Sequence, residues 1–272
     1  MPQIINTNVS SLNSQRNLDT SQSSLFTALQ RLSSGLRVNS SKDDAAGLAV
    51  AEKMNSQARG MSVAIRNAND GISLAQTAEA GMNVITSHLQ RMRELAVQSA
   101  SGQYDSDNRA ALDVEYQQLA SEIDRVISAT NFNGQRLLDG TFSAGVIFQV
   151  GPTTTPESQI LVEIFPISLS VQDIQGTNGD HALSAMDALD LAIDAVNNNR
   201  ASLGAIQNRF EGVLAQLASA RESTTAARSR IMDADYGEET AALARAQILQ
   251  QAGVAMLAQA NALPQNVLTL LR

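Results

Sequence analysis

The stretch MNSQARGMSVAIRNANDGISLAQTAEAGMNVITSHLQRMRELA, residues 54–96, decides the fold of this 272-residue chain. Small or apolar side chains recur in it every seven residues, at Met54, Met61, Ala68, Ala75, Met82, Leu89 and Ala96. A repeat of seven places these side chains along one side of an α-helix and is typical of helices that pack lengthwise against one another. Polar capping residues at 39–41 predict that the helix begins near Lys42–Asp44. It would contain about 55 residues and extend about 80 Å.

A shorter helix is predicted on each side of the long one. Residues 8–33 carry Leu18, Leu25 and Leu32 at the same interval, and Gly35 interrupts the pattern. After a break at Ser101–Gly102, residues 105–129 carry Leu112, Leu119 and Val126. Because the connection is short and the repeats match, we expect this helix to lie antiparallel to the long one.

Two more helices are predicted towards the carboxyl end. The first covers about 182–228 and carries Leu189, Val196, Leu203, Phe210 and Leu217. A polar segment at 233–237 follows, and the last helix carries Leu249, Met256, Leu263 and Leu270. We expect Pro264 to kink this helix or to tighten its final turns.

The segment 131–180 has a different pattern. Asn133–Gly134 and Asp139–Gly140 are dipeptides typical of hairpin turns. Apolar runs at 146–150 and 160–164, and an alternation at 167–171, predict three short strands. Consecutive threonines beside proline favour an exposed loop at Thr153–Ser158. The sequence therefore predicts a small β-rich insert.

The predicted fold is mainly α, with long heptad-patterned helices forming a rod-like coiled-coil bundle and a small β-hairpin insert. We predict a terminal coiled-coil domain from 1–41 and 230–272, a helical core domain from 42–130 and 181–229, and an insert of the core domain at 131–180. The terminal coiled-coil seam is expected to set Leu18, Leu25 and Leu32 against Leu249, Met256 and Leu263. These apolar rows are wider than one partner helix within the chain would bury, which indicates self-association. If the contact between copies does not close into a ring, repeated association gives a helical polymer.

Composition narrows the classes of function. Lys and Arg number 19 against 27 Asp and Glu, so the net charge of −8 argues against a nucleic-acid partner. The absence of cysteine excludes disulfides and thiolate chemistry. The first residues carry no basic side chain, and no apolar run approaches a membrane span, so we expect neither a cleavable signal nor membrane insertion.

No catalytic, cofactor or metal site is predicted. His88 and His181 lie in different elements and match no metal-binding spacing. Paired acids such as Asp43–Asp44 and Glu238–Glu239 stand at predicted helix starts, which favours capping over acid–base chemistry. The sequence therefore indicates a protein that is not an enzyme and has no cofactor.

Several longer motifs are similar to those of bacterial flagellin. They are LQRLSSGLRVN at 29–39, DDAAGLA at 43–49, RASLGAIQNRF at 200–210 and PQNVL at 264–268, with LLR at 270–272. They occur in the order of that family, and the resemblance covers roughly 1–140 and 180–272. Many relatives carry large outer domains where this chain has only the insert, so the resemblance implies a minimal flagellin.

That resemblance implies a structural subunit that self-assembles into the extracellular bacterial flagellar filament for motility. Its partners would be other copies of itself in a helical polymer, a flagellar export chaperone and export apparatus, and the hook-filament junction and filament cap proteins. Type III export would account for a secreted protein without a signal or cysteine. The chain would be secreted and located in the flagellum.

The resemblance also implies recognition by a host receptor. The segment Gln90–Gln98 matches the flagellin segment that the flagellin-sensing Toll-like receptor recognises. Arg91, Leu95, Gln98 and, from the next helix, Glu115 are the residues expected to serve both the receptor and subunit contacts. We expect them to form a compact patch with an apolar centre and opposite charges.

Three alternatives to a filament subunit stay open at this point. The nearest is a hook-filament junction protein, and the other two belong to different classes of protein. A membrane-surface protein would also use amphipathic helices, but the chain has few basic residues and no Trp. An enzyme is the remaining alternative, although no nucleophile, base and orienting residue can be assembled from these motifs.

Overall fold

The computed structural model describes residues 7–170, 172–176 and 179–269, with side chains described as far as Ala262. It divides into two compact units: unit 1 combines the chain up to Ser56 with the chain from Ser223 onward, and unit 2 is Gln57–Glu222. The predicted domain boundaries at 41/42 and 229/230 stay predictions.

Long helices dominate the described residues, as predicted. They are α1 at Val9–Ser34, α2 at Ala45–Ala100, α3 at Ser106–Ala129, α4 at Asp180–Met232 and α5 at Tyr236–Thr269. The predicted bounds of α1 to α4 lie within a few residues of the observed ones, and local capping accounts for two of the helix starts. The Asp44 carboxylate accepts from the Gly47 N–H at 2.8 Å at the start of α2, and the Asp105 carboxylate accepts from the Asn108 N–H at 2.8 Å at α3.

The predicted heptad rows of α2 and α4 contribute to the core of unit 2, together with residues of α3 and the insert. From α2 the row buries Ala68, Ala75, Met82, Leu89 and Ala96, and from α4 it buries Leu189, Val196, Leu203 and Phe210. Gly71 allows the closest approach, because a Cβ built there would lie 2.5 Å from the Phe210 ring. Phe148 meets the same ring edge-on, with centroids 5.7 Å apart. The core therefore joins both long helices to the insert.

The insert contains two hairpins. Strands β1 at Asn131–Phe132 and β2 at Gln135–Arg136 flank the predicted turn, in which Asn133 and Gly134 both have positive φ. Strands β3 at Val146–Gln149 and β4 at Gln159–Val162 form the second antiparallel pair. The loop between β3 and β4 is exposed at 153–157, as expected, whereas Ser158 is buried.

Two predictions for the insert are wrong. Residues 163–170 form no strand, and Val171 lies outside the described residues. Instead of pairing with a neighbouring strand, Phe165 bonds through its N–H and C=O to the carboxamide of buried Asn199, at 3.3 and 2.9 Å. Asp139–Gly140 joins no strands either, because the Asp139 carboxylate accepts from the Thr141 N–H and closes a local turn.

In unit 1, α1 and α5 pack antiparallel. The Asn8 amide donates to the Ala260 carbonyl at 2.8 Å, and the Arg31 guanidinium pairs with Glu239 at 2.9 Å. Between these ends, Leu18 reaches Gly253, where a built Cβ would lie 3.2 Å from Leu18 Cδ1. The helices therefore approach closely along small residues.

The structure places the two rows of the predicted terminal coiled-coil seam differently. Leu18, Leu25 and Leu32 of α1 are half-buried. The α5 residues on the side of α1 are Ala246, Gly253 and Ala260, whereas Leu249 and Met256 are 50% and 61% exposed. Small side chains permit the close approach of α1, so the larger apolar row is turned away. The side chain of Leu263 and the expected effect of Pro264 lie outside the described residues.

The two connections of unit 1 pair with each other. The N–H groups of Arg37 and Val38 both donate to the Met232 carbonyl, at 2.6 and 3.4 Å, and the Ala234 N–H donates to the Gly35 carbonyl at 3.0 Å. Val38, Ala51 and Met232 form a small buried cluster beside these bonds. We call this paired segment the linker clasp.

Candidate functional site

The structure brings Arg91 and Glu115 together, as the antiparallel arrangement of α2 and α3 predicts. The Arg91 guanidinium donates to Glu115 Oε1 from Nε and to Glu94 Oε2 from Nη1, each at 2.9 Å. Hydrogen bonding to Glu115, and then to Glu94, raises the pKa of Arg91 above its ordinary value. All three side chains are about half exposed or more. The surface therefore presents one cation between two carboxylates.

Gln98 and Leu95 extend this region in different directions. The Gln98 amide donates to the Tyr104 hydroxyl at 3.0 Å and stays exposed. Leu95 is only 1% exposed and belongs to the core of unit 2. The expected apolar centre of the patch is therefore wrong for the chain by itself, because Leu95 lies one turn from Arg91 on the side of α2 that packs inward. We call Arg91, Glu94, Gln98 and Glu115 the polar patch.

A second ion pair connects α2 to α4 and was missed from the sequence. The Arg93 guanidinium donates to both Asp190 oxygens, at 2.6 and 3.2 Å. Hydrogen bonding to Arg93 lowers the pKa of Asp190. The two residues are 97 positions apart, and nothing in the local sequence marks them as partners. α2 is thus joined by arginine to α3 on one side and to α4 on the other.

A buried polar cluster on α3 also escaped prediction. Arg109 is 3% exposed and donates to three carbonyl oxygens, those of Ser99, Gly176 and Ser101, at 3.0, 2.6 and 3.4 Å. One turn further along α3, buried Asp113 accepts from the Ile174 N–H at 3.0 Å. The two side chains therefore fix the segment 174–176 against the end of α2. The three backbone carbonyls that Arg109 contacts indicate a structural role for this side chain.

Tyr116 lies one turn beyond Asp113, and its environment gives a pH-dependent prediction. Burial, with the charge of Asp113 as a smaller cause, raises the pKa of Tyr116 to about 12. An unfolded tyrosine loses its proton near pH 10, so this stabilising contribution is complete below about pH 10 and is lost as the pH rises towards 12. Alkaline absorbance titration should show a phenolate step near pH 12 that Tyr116→Phe removes. If the step that Tyr116→Phe removes lies well below that pH, the effect of burial on the pKa of Tyr116 is contradicted.

The remaining titratable candidates lie in different elements. His88 is half-buried in α2, and His181 Nδ1 lies 2.5 Å from Asp173 on the surface. The Asp43 carboxylate accepts from the Ser40 and Asn39 N–H groups, and these bonds, Ser40 first, lower its pKa. Within residues 7–170, 172–176 and 179–269, no three His, Asp or Glu side chains are grouped closely enough to hold a metal ion.

A second candidate surface lies on the helices of unit 1. Large apolar side chains of α1 and α5 are exposed there, and we call them the terminal apolar surface. They are Val9, Leu12, Phe26 and Leu29 of α1 and Ile248, Leu249, Val254 and Met256 of α5. None of the described helices is long and apolar enough to cross a membrane. Large apolar side chains exposed on both helices favour a contact with another molecule.

Two family models match most of the chain. The model for the bacterial flagellin N-terminal helical region matches residues 5–143, and the one for the bacterial flagellin C-terminal helical region matches 186–271. Only 144–185 lies between them, in agreement with the predicted minimal form.

Curated relatives match along their whole length. A protein described as flagellin from Halalkalibacterium halodurans is 45% identical over 99% of this chain and 100% of its own. Flagellin FlaB2 of Treponema pallidum is 41% identical over the same shares of the two chains.

A solved structure shares the fold. It is a putative flagellar hook-associated protein from Vibrio parahaemolyticus, which aligns with a TM-score of 0.57 over 66% of this chain and 95% of its own. At 11% identity, that likeness shows the fold alone. The two family models and the full-length identity decide what the fold leaves open: this chain belongs to the bacterial flagellin family, as a short member without a large variable domain.

Proposed function

We propose that this flagellin, a subunit of the flagellar filament, polymerises through its terminal apolar surface. The observation that supports this most is the outward position of Leu249 and Met256, which are seven residues apart and therefore share a face of α5. Burying such side chains against other copies is the main driving force for non-covalent assembly. Because the contact joins different surfaces of successive copies, it need not close into a ring.

Seeded growth tests this proposal. Purified chain mixed with short fragments of its own filaments should elongate them, as seen by electron microscopy. Chain that stays monomeric under these conditions and instead floats with anionic vesicles would support the membrane-surface alternative and contradict polymerisation. The role is structural, so no turnover of a substrate is expected.

The export route and the assembly partners are part of the same proposal. The chain would leave the cell through the flagellar type III apparatus with an export chaperone, and would meet the hook-filament junction and cap proteins at the growing filament. The lack of any cysteine supports passage in an unfolded state, since no disulfide has to form or be avoided. The export route can be tested in a mutant that lacks the type III apparatus but keeps general secretion. The chain should be lost from its culture medium, and an unchanged amount there would contradict the proposed route.

We also propose that the polar patch is recognised by the flagellin-sensing Toll-like receptor. Arg91 and Glu115 are exposed, oppositely charged and held in one geometry by their mutual bond. A preorganised pair of this kind offers a receptor directional hydrogen bonds at a small cost in side-chain entropy. Leu95 supports the patch from inside rather than contacting the receptor, because it is buried.

Substitutions separate contact from support. Arg91→Ala should lower the potency of the monomer in a receptor reporter assay roughly 10- to 30-fold, with thermal unfolding almost unchanged because the side chain is exposed. Leu95→Ala should weaken signalling while also destabilising the fold by about 2 to 5 kcal/mol, as expected for a cavity in a helical core. Arg125→Ala, an exposed arginine of α3 outside the patch, is the matched control.

Assembly should hide the same patch if it also contacts neighbouring subunits. Monomer should then activate the receptor at concentrations where cross-linked filaments do not. Equal potency of the two forms, or an Arg91→Ala variant as potent as the parent, would contradict this assignment.

A further inference from the structure

Three residues of α2 form a basic row on the outside of unit 2. Arg59, Val63 and Arg66 are four and three residues apart, so they share one face of the helix. All three are exposed, and Val63 is 44% exposed. In the part of the chain that the structure describes, no ion pair joins either arginine to a carboxylate. We call this row the basic triad.

A row with the same spacing and the opposite charge lies on α4. Asp187, Leu191 and Asp194 are again four and three residues apart and all exposed. Leu191 is 72% exposed, more than any other large apolar side chain of the described residues. Asp190 beside them is already bonded to Arg93, whereas within the described residues Asp187 and Asp194 form no ion pair. We call this row the acidic triad.

We propose that the acidic triad of one copy docks on the basic triad of a second copy. Residues seven apart on a helix are separated by about 10.5 Å, so the two arginines and the two aspartates match in distance. Leu191 and Val63 then meet between the charges. In paired helices with an apolar centre, charged residues on either side of that centre determine which partner binds and in which register. The two triads would have the same arrangement.

A second copy is the occupant that fits both triads. Each triad lies outside the core of unit 2, with no ion pair between them in the one chain. A contact between two different surfaces of identical chains leaves one of the two surfaces free at each end, so further copies can add unless the rotation closes a ring. The inference thus rests on the proposed polymerisation and adds a specific contact of unit 2 to that of the terminal helices.

Charge reversal and exchange test the pairing. Asp187→Arg with Asp194→Arg should raise the critical concentration for polymerisation about tenfold or more, because two attractions become two repulsions. Adding Arg59→Asp and Arg66→Asp to the same chain exchanges the signs and restores the formal charge of −8. This fourfold variant should polymerise nearly as well as the parent, whichever direction the helices take. Asp124→Arg with Glu211→Arg, two exposed acids outside the triads, is the charge-matched control.

The outcomes are distinct. All three variants should unfold at about the parent temperature, because every changed side chain is exposed. Normal assembly of the reversed variant overturns the contact, and so does a fourfold variant that stays as defective as the reversed one. A parent chain that forms no polymer overturns the proposed function together with this contact, whereas a parent that polymerises no better than its reversed variant overturns the contact alone.

Cross-linking locates the contact directly, because the chain contains no cysteine. Val63→Cys and Leu191→Cys chains, mixed and oxidised after assembly, should give a disulfide-linked dimer containing one chain of each kind. The same mixture kept monomeric should not. Val114→Cys, on α3 and also well exposed, replaces Val63→Cys in the control mixture. Equal cross-linking of the control, or no cross-link in assembled material, would overturn the pairing.

Discussion

Ala246→Asp should separate α1 from α5 and abolish polymerisation. Ala246 is buried on the side of α5 that packs against α1, so a carboxylate there meets apolar surface without a partner. Burying such a charge costs several kcal/mol, on the order of 3 or more, and most of the stability of a helix in a protein comes from the packing that this charge would disrupt. Circular dichroism should report a loss of helix, and electron microscopy should show no filaments.

Leu249→Asp is the matched variant, three residues away on the same helix. Leu249 is half exposed and turned away from α1, so the charge remains in water in the monomer and helix content should not change. Polymerisation should nevertheless fail, since the terminal apolar surface is then broken. Normal filaments from Ala246→Asp would mean that the α5 face is misassigned, and normal filaments from Leu249→Asp would remove the terminal apolar surface from assembly.

Arg109→Met should destabilise unit 2 by about 3 to 4 kcal/mol. The substitution keeps an apolar stem but removes the donors for three carbonyl groups, one of them 67 residues distant at Gly176. Bonds from a charged donor to buried acceptors are worth more than neutral ones, and acceptors left without donors are costly. At the size of this unit the expected fall in unfolding temperature is about 10 °C.

Arg125→Met provides the comparison on the same helix. Arg125 is exposed and, among the described residues, bonds to Glu122 one turn away, so its removal should leave the unfolding midpoint almost unchanged. The Ile174 N–H donates a hydrogen bond to Asp113. Its hydrogen exchange should accelerate in Arg109→Met and not in Arg125→Met. Equal unfolding temperatures for both variants would show that the cluster contributes no net stability.

Helix positions could be predicted from the sequence because the signals are local. Seven-residue spacing predicted α1 at 8–33 against the observed Val9–Ser34, and an aspartate cap defines the start of α3. The second hairpin and the Asn133–Gly134 turn followed from equally local patterns. Glu115 was expected near Arg91 from the resemblance to flagellin, and the short connection that makes α3 antiparallel to α2 agrees with that expectation.

Other features depend on which side of each helix packs against its neighbour. The spacing of apolar residues along the sequence does not contain that information. α5 carries two rows of residues spaced by seven. The larger side chains at Leu249 and Met256 predict the wrong row as the one facing α1, because the small residues Ala246 and Gly253 allow the helices to approach more closely. The burial of Leu95 was missed for the same reason. Arg109 and Asp113, four residues apart, resemble an ordinary surface pair until the segment at 174–176 is placed over them.

The linker clasp has a consequence for the order of folding. It joins residues almost 200 positions apart, and unit 1 needs both ends of the sequence, whereas unit 2 is one continuous stretch. At a synthesis rate of about 5 to 20 residues per second, α1 leaves the ribosome about 10 to 40 s before α5 is complete. During that time unit 2 can fold, but α1 has nothing to pair with. Its polar seam, with Ser11, Ser14 and Ser21 among the leucines, suits a segment that has to stay unaggregated while it waits for its partner.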